Sequence, residues 1–307
     1  PPERNHDMTR DDWFFPRGSL ADGPWESVIQ DIDGWRHTGL RVADLAEGDV
    51  LDLDDEGVER IVIPLTGPAT VEFTPPGEET RRQELVGRPS VFAGATDVLY
   101  LGAGTSLRLS GAGRVAVAEA PDAEPRPWRY VPRDEVPVEL RGRGRNSRQV
   151  HNFGTPAALD ASRFMVVEVI TPSMNWSSFP PHKHDEDLPG VEASLEEVYY
   201  FESEVSVSWP AAPDGEADPF GLMRTYSTDE ARPIHVMQEV RTGDIVLVPH
   251  GYHGPTVATP GYDLYMLNVM AGPSGKREWL LREDPEHRWI VDGFANEEID
   301  GRLPMGR

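Results

Sequence analysis

Short runs of apolar and β-branched residues, each closed by a turn signal, recur along the whole chain. They are GLRVADL, ERIVIPL, ATVEF, SVFAG, DVLYL, SLRLS and RVAVAEA, then FMVVEVITP, EEVYYF, VSVSW, DIVLVP and YDLYMLNVM. Alternate positions in many of them carry β-branched or aromatic side chains, the period of a strand with one buried face. Long helical periodicity is scarce, although the tail REWLLREDPEHRWIVDGF could supply a helical turn or two. The pattern predicts an all-β protein. At 307 residues the chain can support more than one core. The runs form two sets separated by PDAEPRPWRYVPRDEVPVELRGRGRNSR, rich in Pro and Arg. We place the connection at residues 121–147, with domains at 1–130 and 131–307, each a β-barrel in tandem with the other.

Charge narrows the partners. With 53 acidic against 29 basic residues the net charge is −24, which opposes nucleic acid and anionic membrane surfaces. An anionic substrate would need local help from arginine or a metal. No apolar run is long enough to span a bilayer, and the start PPERNHDMTRDDWFF lacks the pattern of a secretory signal, so a cytoplasmic location is expected. The chain has no cysteine, which removes thiolate nucleophiles and thiolate ligands.

The stretch FPPHKHDEDLPG places His182 and His184 one residue apart, so in a strand both face one way and Lys183 the other. Glu197 opens the strand after them, and GDIVLVPHGYH delivers His253 after a Pro-x-Gly turn. Three imidazoles and one carboxylate suit one divalent ion: zinc or manganese foremost, with iron, nickel and cobalt also compatible. Glu192 and Glu196 are the alternatives to Glu197. In the first half, Glu59 opens ERIVIPLTG much as Glu197 opens its strand, but Asp52, Asp54 and a GAGT turn stand where the second half has histidines. The first half is therefore read as structural, without a metal set.

The order H-x-H, Glu, then Gly243, Pro249, Gly251 and His253 resembles the cupin superfamily of small β-barrels, with one residue fewer before the last histidine. Twelve residues, DEDLPGVEASLE, separate His184 from Glu197, a longer insertion than ordinary cupins carry. The runs TPSMNWSSFPPHKHDED, LEEVYYF, VLVPHGYHGPTVATPGYDLYMLNVMAGP and EWLLREDPEHRWI, with the linker RGRGRNSRQVHNFG, resemble the 5-deoxy-glucuronate isomerase family of bicupins in myo-inositol catabolism. That resemblance implies a metal-dependent aldose–ketose isomerase acting on a small sugar acid, 5-deoxy-D-glucuronate, to give 5-dehydro-2-deoxy-D-gluconate. The reaction would run by proton transfer or by hydride shift. A cupin dioxygenase and a non-enzymatic sugar-binding bicupin are the rival readings.

Helper residues follow from strand faces. Glu168 shares a face with Phe164, Val166 and Ile170, as a general acid or base with a raised pKa or as a structural hydrogen-bonding group. Tyr199 should face inward with Glu197, as an acid, an orienting group or a core aromatic. Arg224 and Tyr226 share a face that the resemblance places along the pocket wall, where Arg224 could pair with a substrate carboxylate. Arg148 is the next candidate for that task. His151, His235 and His250 have no ligand pattern. Barrel edges are compatible with a homo-oligomer.

Overall fold

The computed structural model describes residues 13–306 apart from 55, 211 and 213–215, so the polar opening stretch, 1–12, lies outside them. Each half is a pair of facing antiparallel sheets. In the first, a six-stranded sheet runs Arg129–Val131, Val98–Leu101, Glu59–Pro64, Gly113–Ala120, Gly39–Leu45, Ser27–Val28. It faces a four-stranded sheet ordered Val50–Leu53, Ser106–Gly111, Gly67–Thr74, Arg81–Arg88. In the second half a seven-stranded sheet runs Phe14–Phe15, Ile245–Val248, Glu196–Val205, Tyr262–Ala271, Met165–Thr171, Arg148–Asn152, Val138–Arg141. Facing it is a sheet ordered His235–Val240, Gly221–Tyr226, Tyr252–Ala258, His182–Lys183, Arg282–Glu283, with Trp176–Ser177 also on Tyr252–Ala258.

Alternation along the strands sorts these sheets into four layers. On Glu59–Pro64, Ile61 and Ile63 enter a core shared by the two halves, whereas Val62 enters the core inside the first. On Met165–Thr171, Val166 and Ile170 face the shared core, and Met165, Val167 and Val169 the interior of the second half. The two larger inner sheets thus pack back to back, buried on both faces. Tyr100, Tyr200 and Tyr265 lie in this shared core, and each hydroxyl donates to a carboxylate: Glu59 at 2.7 Å, Glu202 at 2.9 Å and Glu168 at 2.7 Å. Those bonds remove the cost of burying a phenol.

Several local expectations are corrected. SVFAG is a 3-10 turn at Val91–Ala93, because the Ser90 hydroxyl accepts the Phe92 N–H at 3.1 Å and caps it. VSVSW leaves its strand at Val205 and turns, with the Trp209 N–H donating to the Ser206 carbonyl. Arg81–Arg88 is a strand that its charged composition concealed. The Pro- and Arg-rich connection is no free tether, since Arg129–Val131 and Val138–Arg141 serve as edge strands of the two inner sheets. The tail contains the 3-10 helix Arg288–Phe294.

Two glutamates clasp the halves reciprocally. Glu59 accepts the backbone N–H groups of Ser162, Arg163 and Phe164 at 2.6–2.8 Å. Glu196 accepts those of Arg36, His37 and Thr38 at 3.1, 2.5 and 2.7 Å. Strand register supports the equivalence: Glu59 lies opposite Ala120, and Glu196 opposite Ala271. The match of Glu59 to Glu197 is therefore corrected by one residue. Arg60, opposite Glu119 and Leu101, is the counterpart of Glu197, opposite Met270 and Val248. Glu196→Ala strands three N–H donors and should cost about 1–3 kcal/mol, read as a lowered urea midpoint.

Candidate metal centre and active-site cavity

His182 and His253 lie opposite each other on adjacent strands of the outer sheet, and His184 follows just beyond. Ligating atoms of the three rings all lie within 4.8 Å of one another. Their Nδ1 atoms point at backbone carbonyls: His184 at Leu195 (3.0 Å), His253 at Gly251 (3.3 Å) and His182 at Pro180 (3.4 Å). A carbonyl accepts only from N–H, so these contacts place a proton on each Nδ1 and leave Nε2 as the atom turned toward the cluster. The Nε2 of His253 is buried without a hydrogen-bond partner. Three imidazoles this close, with a carboxylate beside them, form a donor set that fits a divalent first-row ion.

Glu197 completes the group, its Oε2 2.9 Å from His184 Nε2 and 3.1 Å from His253 Nε2. Burial, reinforced by the neighbouring imidazoles, pushes His182 well below the ordinary histidine value. Burial also lowers His253, against the pull of Glu197. Burial opposes charge on His184 as well, but its bond to Glu197 outweighs this and raises it. Glu197 is likewise opposed by burial, yet the two imidazoles hold it below the usual carboxylate range. Glu192 and Glu196 are committed elsewhere, to Lys183 and to the 36–38 backbone.

The insertion explains Lys183. Its ammonium, facing away from the histidines, meets Asp185 at 2.5 Å and Glu192 at 3.0 Å, and Arg282 reaches Glu192 from the other side at 3.0 Å. Glu192 also accepts the N–H groups of Asp185 and Glu186. Asp185 in turn accepts the Gly251 N–H at 3.0 Å, joining the H-x-H segment to the turn that carries His253. Gly251 has φ +87°, and a Cβ there would stand 2.8 Å from the Tyr226 carbonyl, so glycine is required.

A cavity of about 370 Å³ opens beside His182 and Glu197. Tyr199 and Arg148 line it, as do four residues the sequence reading passed over: Arg141, Asn268, Trp279 and Glu283. Asn268, a lone amide in the apolar run YDLYMLNVM, was detectable as an anomaly, whereas nothing distinguished Arg141 from its many linker neighbours. Burial, then Glu197, raises the Tyr199 hydroxyl well above its usual value, so it is a neutral donor. Arg148 makes no ion pair among the described residues, and its Nη1 donates to the Asn146 carbonyl at 2.9 Å. Burial and then the nearby Arg141 lower it to about 10. Arg141 is held by Glu139 at 2.8 and 3.0 Å and lies over Trp279.

Other candidates lie elsewhere. Glu168 faces the shared core with Val166 and Ile170 and does not line the cavity. It pairs with Arg88 from the first half at 2.6 and 2.7 Å and with His151 at 2.5 Å. Burial alone would raise its pKa, but the Arg88 charge and the His151 bond bring it down to about 2, opposite to the raised value expected. Arg224 and Tyr226 are also corrected. Thr225, between them, is fully buried, and the two flanking side chains turn outward from the cavity. The Arg224 guanidinium stacks 3.8 Å above the Tyr226 ring, and the Tyr226 hydroxyl donates to Asp284. In the first half, Asp52 is spent on Arg108 at the surface. Arg60, buried at the position of Glu197, pairs with Glu119 at 2.7 Å and donates to the carbonyls of Asp54 and Thr105.

Comparison with known proteins agrees with this architecture. The model of the KduI/IolB family matches residues 15–290. The chain is 38% identical over 275 residues to the 5-deoxy-glucuronate isomerase of Geobacillus kaustophilus, covering 86% of this chain and 90% of that one. The Bacillus subtilis strain 168 protein of the same name is 34% identical over 259 residues, covering 82% and 87%. Among solved structures, an IolB-like protein from Salmonella typhimurium LT2 superposes with TM-score 0.78 at 32% identity, covering 91% of this chain and 98% of that one. Oxalate decarboxylase from Lactobacillus farciminis shares the fold alone, with TM-score 0.61 at 9% identity, covering 92% and 91%. Matched along nearly its whole length in sequence and fold, the chain belongs to the KduI/IolB family.

Proposed function

We propose that this chain is a 5-deoxy-glucuronate isomerase, converting the aldose 5-deoxy-D-glucuronate to the ketose 5-dehydro-2-deoxy-D-gluconate in cytoplasmic myo-inositol catabolism. The observation that carries the chemistry is the convergence of three imidazoles, with Glu197 beside them, at the wall of a cavity that two arginines also line. His182, His184, Glu197 and His253 would hold one divalent ion, zinc or manganese foremost, which when bound supplies positive charge where the carbonyl and hydroxyl oxygens gain negative charge. Arg148, half-buried and without an ion pair among the described residues, receives the substrate carboxylate, with Arg141 adding to the positive wall. Their charge is needed locally because a protein of net charge −24 repels an anion at long range. Asn268 and Tyr199 offer neutral donors to hydroxyl groups. The lining is mixed, with Val150, Val167, Val169 and Trp279 beside the charged groups, and the two arginines are what favour a sugar acid over the apolar ring a dioxygenase would hold.

The direct test gives metal-loaded protein 5-deoxy-D-glucuronate and follows loss of the aldehyde proton by NMR. Turnover should stop on chelation and return when metal is restored; full activity in a metal-free preparation would sink the reading. Arg148→Met should raise KM about 10–100-fold while kcat changes little, since a charge-assisted contact is worth about 1.5–3 kcal/mol. Initial-rate kinetics separate the two constants.

A further inference from the structure

Moving a hydrogen between adjacent carbons by proton transfer needs a group that takes it from one and returns it to the other. Glu168, the strand carboxylate suggested by the sequence, is sealed in the shared core by Arg88 and His151. Around the cavity the remaining ionisable side chains are few. Arg141 and Arg148 stay protonated, His182 and Glu197 belong to the metal set, and Tyr199 is buried against Glu197. That leaves Glu283. It sits on the short strand Arg282–Glu283, directly opposite His182, so the two side chains share a face and both line the cavity. Among the described residues its one ion pair is a loose contact of 3.5 Å to the exposed Arg288. Its side chain is 34% exposed, open enough to exchange protons with water.

Resting on the isomerase reading above, we propose that Glu283 is the acid–base residue that carries the proton from C2 to C1 of the sugar. Its carboxylate removes the proton from C2. The C–H electron pair forms the C1–C2 double bond as the carbonyl pair moves onto O1. The proton of O2 passes to O1, the C2–O2 double bond forms, and the Glu283 carboxylic acid returns its proton to C1. No atom or electron is gained or lost. A single residue serves both carbons because they are bonded neighbours.

The test compares wild type, Glu283→Gln and Glu283→Asp, all metal-loaded with metal content measured, and repeats the wild-type reaction in D2O. Glu283→Gln should lose about 10²–10⁴-fold in kcat with metal content and KM retained, and Glu283→Asp should recover part of that loss. The wild-type product should carry deuterium at C1, which a direct hydride shift would not give and a merely structural role for Glu283 would not influence. Glu283→Gln turning over at close to the wild-type rate, or a product free of deuterium, would overturn the proposal. A wild-type protein inert toward the sugar acid would instead overturn the isomerase reading, so the two failures are distinct.

Discussion

Replacing His253 with alanine should lower turnover by about 10³-fold or more, because a metal supplies several kcal/mol of charge stabilisation and about 1.4 kcal/mol is worth tenfold in rate. His253 is the central ring of the cluster, with centroids 4.4 Å from His182 and 4.7 Å from His184, whereas those two are 6.1 Å apart. Losing it leaves two imidazoles and a carboxylate, a set that should hold the ion more weakly and place it less well. The fold should persist, since the strand that carries His253 stays paired through its backbone with both of its neighbours. Metal content by mass spectrometry, circular dichroism and aldehyde consumption test the three statements separately. An alanine variant that keeps both its metal and its rate would refute the assignment.

The second large effect lies far from the chemistry. Arg88→Met should destabilise the protein by about 3–5 kcal/mol, the cost of leaving a buried carboxylate without its cation. Glu168 is fully buried, and His151 and Tyr265 are hydrogen-bonding partners that do not replace the lost guanidinium. Converting both partners to methionine should recover much of the loss. Acid sensitivity supplies a second readout. With its folded pKa near 2, Glu168 contributes stability that is fully present above the unfolded value of about 4.3 and disappears as pH falls toward 2. Arg88→Met raises the folded pKa and should remove that contribution, which denaturant titrations between neutral and acid pH can measure.

Why the candidate ligand set was legible and Glu168 was not is a matter of layers. H-x-H and the Pro-x-Gly turn fix a face and a spacing within a few residues, so local geometry suffices for them. Glu197 needed a choice among three glutamates; its place directly before VYYF selects it, and in the structure its carboxylate lies beside the histidines while Glu196 faces the other way. Along Met165–Thr171 every residue is buried, so no polar face marks which side looks into the cavity and which looks at the other half. The sequence grouped Glu168 with Phe164, Val166 and Ile170 correctly, but whether that set points at a pocket or at a second sheet is a tertiary fact. The strand bearing Arg224 presents the reverse problem, for its outward face carries Leu222, Arg224 and Tyr226 while Gly221, Met223 and Thr225 are the buried residues. Glu283 gave no periodic signal at all, since its strand is only two residues long.

Arg60 gives the molecule an unusual division of charge. A guanidinium joined to the backbone cannot be chelated, exchanged for another ion or depleted when the cell runs short of a nutrient, so the first half keeps its interior cation permanently. On the proposed function, the second half would borrow its own from solution. Starvation for the metal should therefore silence the protein without dismantling it, leaving a pool that can be switched back on by replenishment alone.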